Sequence, residues 1–360
     1  MASERIYSCD DHLDLWHLPA DLWTARMPAD LHAQIPHVVE LKTGDAWIAG
    51  ERFLGPSRMA RPEYSAISRA GIEDDGLRSS TPHLRLADME LDGIWSSVIY
   101  GPSLLGLQIP DPELKMRCLA AYNDWAAAFN THAPGRLCVL PVLPTHSPAA
   151  AVAELERVAA AGHRGAIFFA FETQVSDPAW EPLWQACAAS GLPLSFHIGG
   201  GTSLLGPKPG TWQLAAWAAI APMQLDELLM AMLFSGALER NPCMTLVLAE
   251  AGIGWIPYVL ERLDSAFEKH TPQAADYRLR EKPSAIFRRQ VMVTFEEEPQ
   301  GPRVIPLIGE DNVMWASDYP HPDSTFPHSQ AAIEKAFHGL DARIRRKAVG
   351  ENCRRLYRLD

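Results

Sequence analysis

The chain has 360 residues, with 32 Lys+Arg against 44 Asp+Glu and a formal charge of −12. Hydrophobic residues at 47% and charged residues at 21% give an ordinary globular composition, which excludes a disordered chain. The acidic balance argues against a nucleic-acid backbone or an anionic membrane as the main partner. No window reads as the ~20 apolar residues that a bilayer span needs. Met1-Ala2-Ser3-Glu4-Arg5 lacks the apolar stretch of a secretory leader. The six cysteines, Cys9, Cys118, Cys138, Cys187, Cys243 and Cys353, form no CxxC pair. Free thiols are expected, which points to the cytoplasm.

Eight short apolar runs recur along the chain, at 6–9, 97–100, 137–142, 165–170, 192–197, 244–249, 291–294 and 313–316. Runs apolar on both faces suit a parallel sheet covered by helices. Helical periodicity fills the segments between, at 149–161, 180–190, 225–238 and 256–269, and Gly162 is an expected helix stop. Eight strands alternating with helices predict an α/β fold, a (β/α)8 TIM barrel over a single domain 1–360. An open doubly wound sheet is the alternative. Residues 18–81 interrupt the alternation; with Trp23, Trp47 and Phe53 they are expected as a packed, cap-like insertion after the first strand. Residues 199–209 are Gly-rich and expected as a barrel-top loop, and 341–360 as a basic amphipathic helix.

A parallel barrel places its chemistry at the C-terminal strand ends, and metal-competent residues fall there. The first run continues into Asp10-Asp11-His12-Leu13-Asp14. In an extended chain Asp10, His12 and Asp14 share one face, while Cys9, Asp11 and Leu13 take the other. The fifth run ends at His197, the sixth leads into Glu250 and the eighth into Asp318, with His321 three residues on. Singly, each fits a hydrogen-bonded structural residue; jointly they supply His and carboxylate donors for a divalent metal, Zn first, with Mn or Fe as alternatives. One ion is expected from Asp10 or Asp14 with His12, His197 and Asp318, and two if Asp14 and Glu250 both reach the site. Trp255 and Arg262 are candidate substrate contacts; Arg262 suits a carboxylate, or an ion pair with Glu261 or Asp264. His17, His37, His83, His132 and His146 read as surface or structural, and His328 as a candidate entrance residue.

These residues resemble the amidohydrolase superfamily, in the branch of aminocarboxymuconate-semialdehyde decarboxylase and the resorcylate-type decarboxylases. The likeness runs from Asp10-Asp11-His12 through 194–197 and the Glu250-Ala251-Gly252-Ile253-Gly254-Trp255-Ile256-Pro257-Tyr258 segment. It continues in Ser317-Asp318-Tyr319-Pro320-His321, its most specific piece, and in Asn352-Cys353-Arg354-Arg355-Leu356-Tyr357. The resemblance implies a metal at the barrel mouth, with His12, His197 and Asp318 as ligands. Members with a His-x-His pair would put the remaining ligand at Asp14, and decarboxylases with a carboxylate-x-His pair at Asp10. Glu250 stands where members often have a catalytic His. A homodimer is implied by likeness alone.

The leading expectation is a metal-dependent hydrolase of a small organic substrate, acting through metal-activated water with Asp318 or Glu250 moving protons. The alternatives are a non-oxidative decarboxylase of an aromatic or unsaturated acid, with Asp318 and His321 as proton carriers, a diiron oxygenase, and a non-catalytic binding barrel.

Overall fold

The computed structural model describes residues 4–42, 44–102, 109–199, 208 and 210–359. Among them eleven strands occur: β1 Ile6–His12, β2 His37–Leu41, β3 Gly44–Ala49, β4 Arg52–Pro56, β5 Ile94–Tyr100, β6 Leu137–Val139, β7 Ala166–Ile167, β8 Leu194–His197, β9 Leu246–Ala249, β10 Val291–Phe295 and β11 Val313–Trp315. Eight of these form two parallel sheets, ordered β1-β5-β6 and β7-β8-β9-β10-β11. A parallel bridge between Val142 and Ile167 joins the sheets at one seam. At the other, Asp318 N–H donates to the Asp10 carbonyl at 3.0 Å and His12 N–H to the Tyr319 carbonyl at 2.7 Å. All eight apolar runs of the sequence coincide with these parallel strands.

Each of the eight parallel strands is buried along its whole length apart from half-buried Trp95 in β5. Sheets covered on both faces require this. Helices Pro148–Ala160, Glu181–Ser190 and Ile256–His270 fall where the periodicity puts them. Ser147 caps the first through the Ala150 N–H, and Gly162 follows its end in the left-handed region at φ +86°, where a side chain would be strained. The basic tail is helical as expected, from Ala342 to Tyr357.

The antiparallel sheet β2-β3-β4 was not foreseen. It falls within 18–81, where Trp23 and Trp47 are buried edge to face at 5.2 Å and Trp23 Nε1 donates to the Cys118 carbonyl. Phe53, grouped with them by sequence, is 60% exposed. The barrel-top loop expected at 199–209 lies largely outside the described residues.

One expectation is corrected. Trp212–Phe234 is a 23-residue helical stretch with a window of mean hydropathy 1.2, long and apolar enough by length and composition to cross a membrane. It escapes a search for apolar runs because its hydropathy is spread over small alanines and interrupted by Pro222, Asp226 and Glu227.

Candidate metal centre

Parallel pairing sets strand ends side by side, so the register dictates which side chains meet. His197 and Ala249 are register partners, which puts Glu250 beside His197. His12 is buried at the end of β1. Asp318 comes in from beyond β11 through its backbone bond to Asp10. Glu250 and Asp318 both take left-handed backbone conformations, at φ +53° and +59°. Such conformations are uncommon for non-glycine residues and persist where surrounding structure holds them.

Two neighbouring aspartates of β1 do the holding. Asp10 Oδ2 accepts from the Glu250 N–H at 2.7 Å and from Thr294 Oγ1 at 2.8 Å. Asp11 faces the opposite side and brackets Asp318, accepting from Ser317 Oγ at 2.7 Å and Tyr319 N–H at 3.3 Å. It also accepts from the Ser8 and Ser97 hydroxyls and pairs with Arg85, a fully buried guanidinium that reaches the His12 carbonyl at 3.2 Å. Neither Asp11 nor Arg85 is a sequence candidate, because a side chain facing away from the candidate ligands carries no metal signal.

The remaining Asp10 oxygen, Oδ1, lies 3.3 Å from His197 Nε2 and 3.5 Å from His12 Nε2. His12 Nε2 is also 3.1 Å from Asp318 Oδ1 and 3.7 Å from Glu250 Oε2, which is 3.3 Å from His197 Nε2. Two groups have ligand atoms close enough to share an ion: Asp10, His12 and His197, and His12, Glu250, Asp318 and His321. His12 Nε2 and Asp318 Oδ1 are buried without a hydrogen-bond partner. Buried polar atoms left so are costly, and a divalent cation with this hard oxygen and imidazole donor set satisfies both. The residues fit a metal.

Asp14 is placed differently. Its Oδ2 lies 2.7 Å from His321 Nε2, and its Oδ1 is 4.0 Å from the Nδ1 side of His12. His321 Nδ1 sits 2.9 Å from Asp318 Oδ1, and its ring stacks on His12 at 3.9 Å. His321 is therefore held between two carboxylates. His17, read as surface or structural, is buried and accepts the Asp14 N–H on Nδ1.

Burial first, and then the His321 charge, push His12 down to about 3, leaving the neutral imidazole that ligates metals. Burial alone would lower His197, but Asp10 and Glu250 raise it to about 9. Burial and the neighbouring Asp318 hold the Glu250 carboxyl well above its ordinary range. Glu296, just beyond β10, is raised by the same two causes and has a buried Oε1 without a partner. Sequence gives no signal for it, because the apolar run ends at Thr294 and the strand continues to Phe295.

Of the other candidates, Trp255 Nε1 donates to the Ala251 carbonyl at 2.7 Å, pinning the turn after Glu250. Arg262 is exposed on helix Ile256–His270, and His328 is exposed beyond the Asp318 loop.

The amidohydrolase family profile matches residues 105–359. The chain belongs to the amidohydrolase family. It is thus an enzyme of the hydrolase or decarboxylase type, and its donor set supports a divalent metal. No curated protein matches it. Solved structures share its fold. An amidohydrolase from Mycobacterium avium subsp. paratuberculosis K-10 matches with a TM-score of 0.80 at 19% identity, over 99% of this chain and 98% of its own. The 5-carboxyvanillate decarboxylase of Sphingomonas paucimobilis gives 0.74 at 23% identity, over 99% and 100%. A dihydroxybenzoic acid decarboxylase from Polaromonas sp. JS666, with bound manganese and the inhibitor 2-nitroresorcinol, gives 0.67 at 18%, over 99% and 97%.

Proposed function

We propose that this amidohydrolase is a metal-dependent, non-oxidative decarboxylase of an aromatic or unsaturated carboxylic acid. The observation carrying the reading is the division of labour between Asp10 and Asp14. Asp10 Oδ1 faces His12 and His197, whereas Asp14 is engaged by His321. A carboxylate-x-His pair is the arrangement that the resemblance associates with decarboxylases. The fold shared with the Sphingomonas and Polaromonas decarboxylases supports it further.

In this reading Asp10, His12, His197 and Asp318 hold one divalent ion, with Mn, Zn or Fe as candidates and manganese favoured by the Polaromonas structure. The ion supplies a Lewis acid for a substrate carboxylate or phenolate oxygen. Asp10, gripped by Thr294 and the Glu250 N–H, fixes the orientation of the donor set. As the bond to CO2 breaks, its electron pair stays on the substrate carbon, and the Glu250 carboxyl, raised by burial and Asp318, delivers the replacing proton. His321 keeps Asp318 turned toward His12. The strand order and the backbone bonds at both seams support a single closed (β/α)8 domain over 1–360, and the β2-β3-β4 sheet supports 18–81 as its cap.

Metal-activated hydrolysis is the second reading, favoured by the position of Glu250 as a base beside the cluster. One experiment separates them. Manganese-loaded protein is offered 2,6-dihydroxybenzoate, 5-carboxyvanillate and p-nitrophenyl acetate in D2O, and CO2 and ring deuteration are followed. CO2 release with one ring deuteron supports the proposal. Ester turnover that needs Asp10, with no CO2 from either acid, sinks it in favour of hydrolysis.

A further inference from the structure

We propose that Glu298 is a positioning residue that aims the Glu250 carboxyl into the metal centre; as a role in proton delivery, this rests on the decarboxylase reading above. β10 ends at Phe295 and the chain runs directly into Glu296-Glu297-Glu298. Glutamates are mostly solvated, and Glu297 is exposed here. Glu298 is half-buried, with both carboxyl oxygens turned onto backbone. Its Oε1 accepts the Ile253 N–H at 2.7 Å and its Oε2 the Gly254 N–H at 3.0 Å. Only a carboxylate offers two acceptor atoms to two donors in this way.

Those bonds fasten the turn that presents Glu250. Glu250 leaves β9 in the left-handed region at φ +53°, and Gly252 follows at +62°. Backbone of this kind persists where its surroundings over-determine it. Asp10 Oδ2 and Thr294 Oγ1 hold the Glu250 N–H at one end, each at 2.7 Å. Glu298 holds the other end, three and four residues on. Between them Glu250 Oε2 stays 3.3 Å from His197 Nε2 and 3.7 Å from His12 Nε2. The fit is close: a Cβ added at Gly252 would lie 2.5 Å from Glu298 Oε1, and one at Gly301 2.9 Å from Glu298 Cβ.

Capping of the helix that follows is the competing role, and the bonding disfavours it. Helix Ile256–His270 has no side-chain cap, and its Ile256 N–H goes to the Ile253 carbonyl at 3.2 Å. Glu298 grips the turn ahead of it. With both oxygens on backbone, Glu298 acts on the chemistry through Glu250. Burial also raises its carboxyl above the ordinary range, and the two N–H bonds only partly offset that. An acid placed there at a cost to stability suits a turn whose geometry matters.

The test compares manganese-loaded, full-length Glu298→Gln, Glu298→Ala and, at the exposed neighbour, Glu297→Gln. Gln keeps one acceptor oxygen and sets its amide NH2 against the second backbone N–H. The substrate is whichever of 2,6-dihydroxybenzoate and 5-carboxyvanillate the wild type decarboxylates. There kcat should fall about 10-fold in Glu298→Gln and about 100-fold in Glu298→Ala, the scale of a roughly 1 Å misplacement. KM should change by less than about twofold, because the substrate-binding groups are intact. Bound manganese and circular dichroism should match the wild type, and Glu297→Gln should be unaffected throughout. The solvent deuterium isotope effect on kcat should rise in both Glu298 variants, since a misaimed acid slows proton delivery. Lower stability with unchanged kcat and isotope effect overturns the proposal, and so does loss of manganese from Glu298→Gln. A wild type that releases no CO2 from either acid defeats the decarboxylase reading; the crystal structure of Glu298→Gln then decides this one. Glu250 Oε2 displaced from His197 by about 1 Å or more upholds the positioning role, and an unmoved Glu250 overturns it.

Discussion

Asp10 binds the Glu250 backbone with one carboxylate oxygen and faces the His197 imidazole with the other. The Oδ2 contact to the Glu250 N–H is 2.7 Å, and the Oδ1 contact to His197 Nε2 is 3.3 Å. One side chain thus supplies a candidate ligand and fixes the left-handed turn that presents another carboxylate. Removing it takes away both functions together. Asp10→Ala is expected to lower bound manganese from one equivalent to a trace, with affinity weaker by roughly a hundredfold or more. Metal analysis after dialysis checks this, and full retention of manganese would remove Asp10 from the donor set.

Asp14 sits two residues beyond His12 on the same strand face by sequence pattern, yet its partner is His321 at 2.7 Å. Asp14→Asn should therefore keep the metal and lower kcat by about 10- to 100-fold, the usual cost of loosening a group that orients a ligand. KM should move little, because Asp14 acts through His321 on Asp318. Metal loss matching that of Asp10→Ala would make Asp14 a ligand instead.

The contrast shows what was legible from sequence. The eight buried strands announce themselves because both faces are apolar, and strand ends then point to His12, His197, Glu250 and Asp318 without knowledge of pairing. The choice between Asp10 and Asp14 was not legible. Both have the right spacing from His12, and only the folded positions of the other strand ends decide that Asp10 meets His197 and Asp14 meets His321. Asp11 and Arg85 were invisible for a related reason: their partners come from four separated segments, and no local pattern encodes that meeting. The antiparallel sheet β2-β3-β4 is hidden by its mixed exposure, which gives neither clean alternation nor a continuous apolar run.

The Arg85–Asp11 pair carries a stability prediction. Arg85 is fully buried and donates to Asp11, Ser97 and the His12 and Ser79 carbonyls. Arg85→Met strips the counter-charge from a buried carboxylate, which typically costs about 3–5 kcal/mol. Asp11 keeps its three serine hydroxyl donors, so the lower end, about 3 kcal/mol, is expected. Adding Asp11→Asn to Arg85→Met should recover part of the loss, since the unpaired charge is then gone. Urea denaturation of the two variants measures it, and a double variant less stable than the single one contradicts the charge argument.

Asp92 gives a pH dependence from outside the candidate donor set. It ends helix Pro82–Asp92, is 3% exposed, and accepts from the Ser329 N–H and hydroxyl at 2.8 and 2.5 Å. Burial raises its carboxyl to about 6 from an ordinary 3.8, and the Ser329 bonds only partly offset that. The folded protein therefore holds this proton more tightly than the unfolded chain does. The favourable contribution is complete below about pH 4 and fades as pH rises through about 6, a difference on the order of 3 kcal/mol. Asp92→Asn carries no ionisable proton and keeps an acceptor for Ser329. Its stability relative to wild type should accordingly improve between pH 4 and 7, by up to that amount. Urea midpoints of both proteins across this range provide the measurement. A difference between them that stays flat with pH would place the Asp92 carboxyl at its ordinary value.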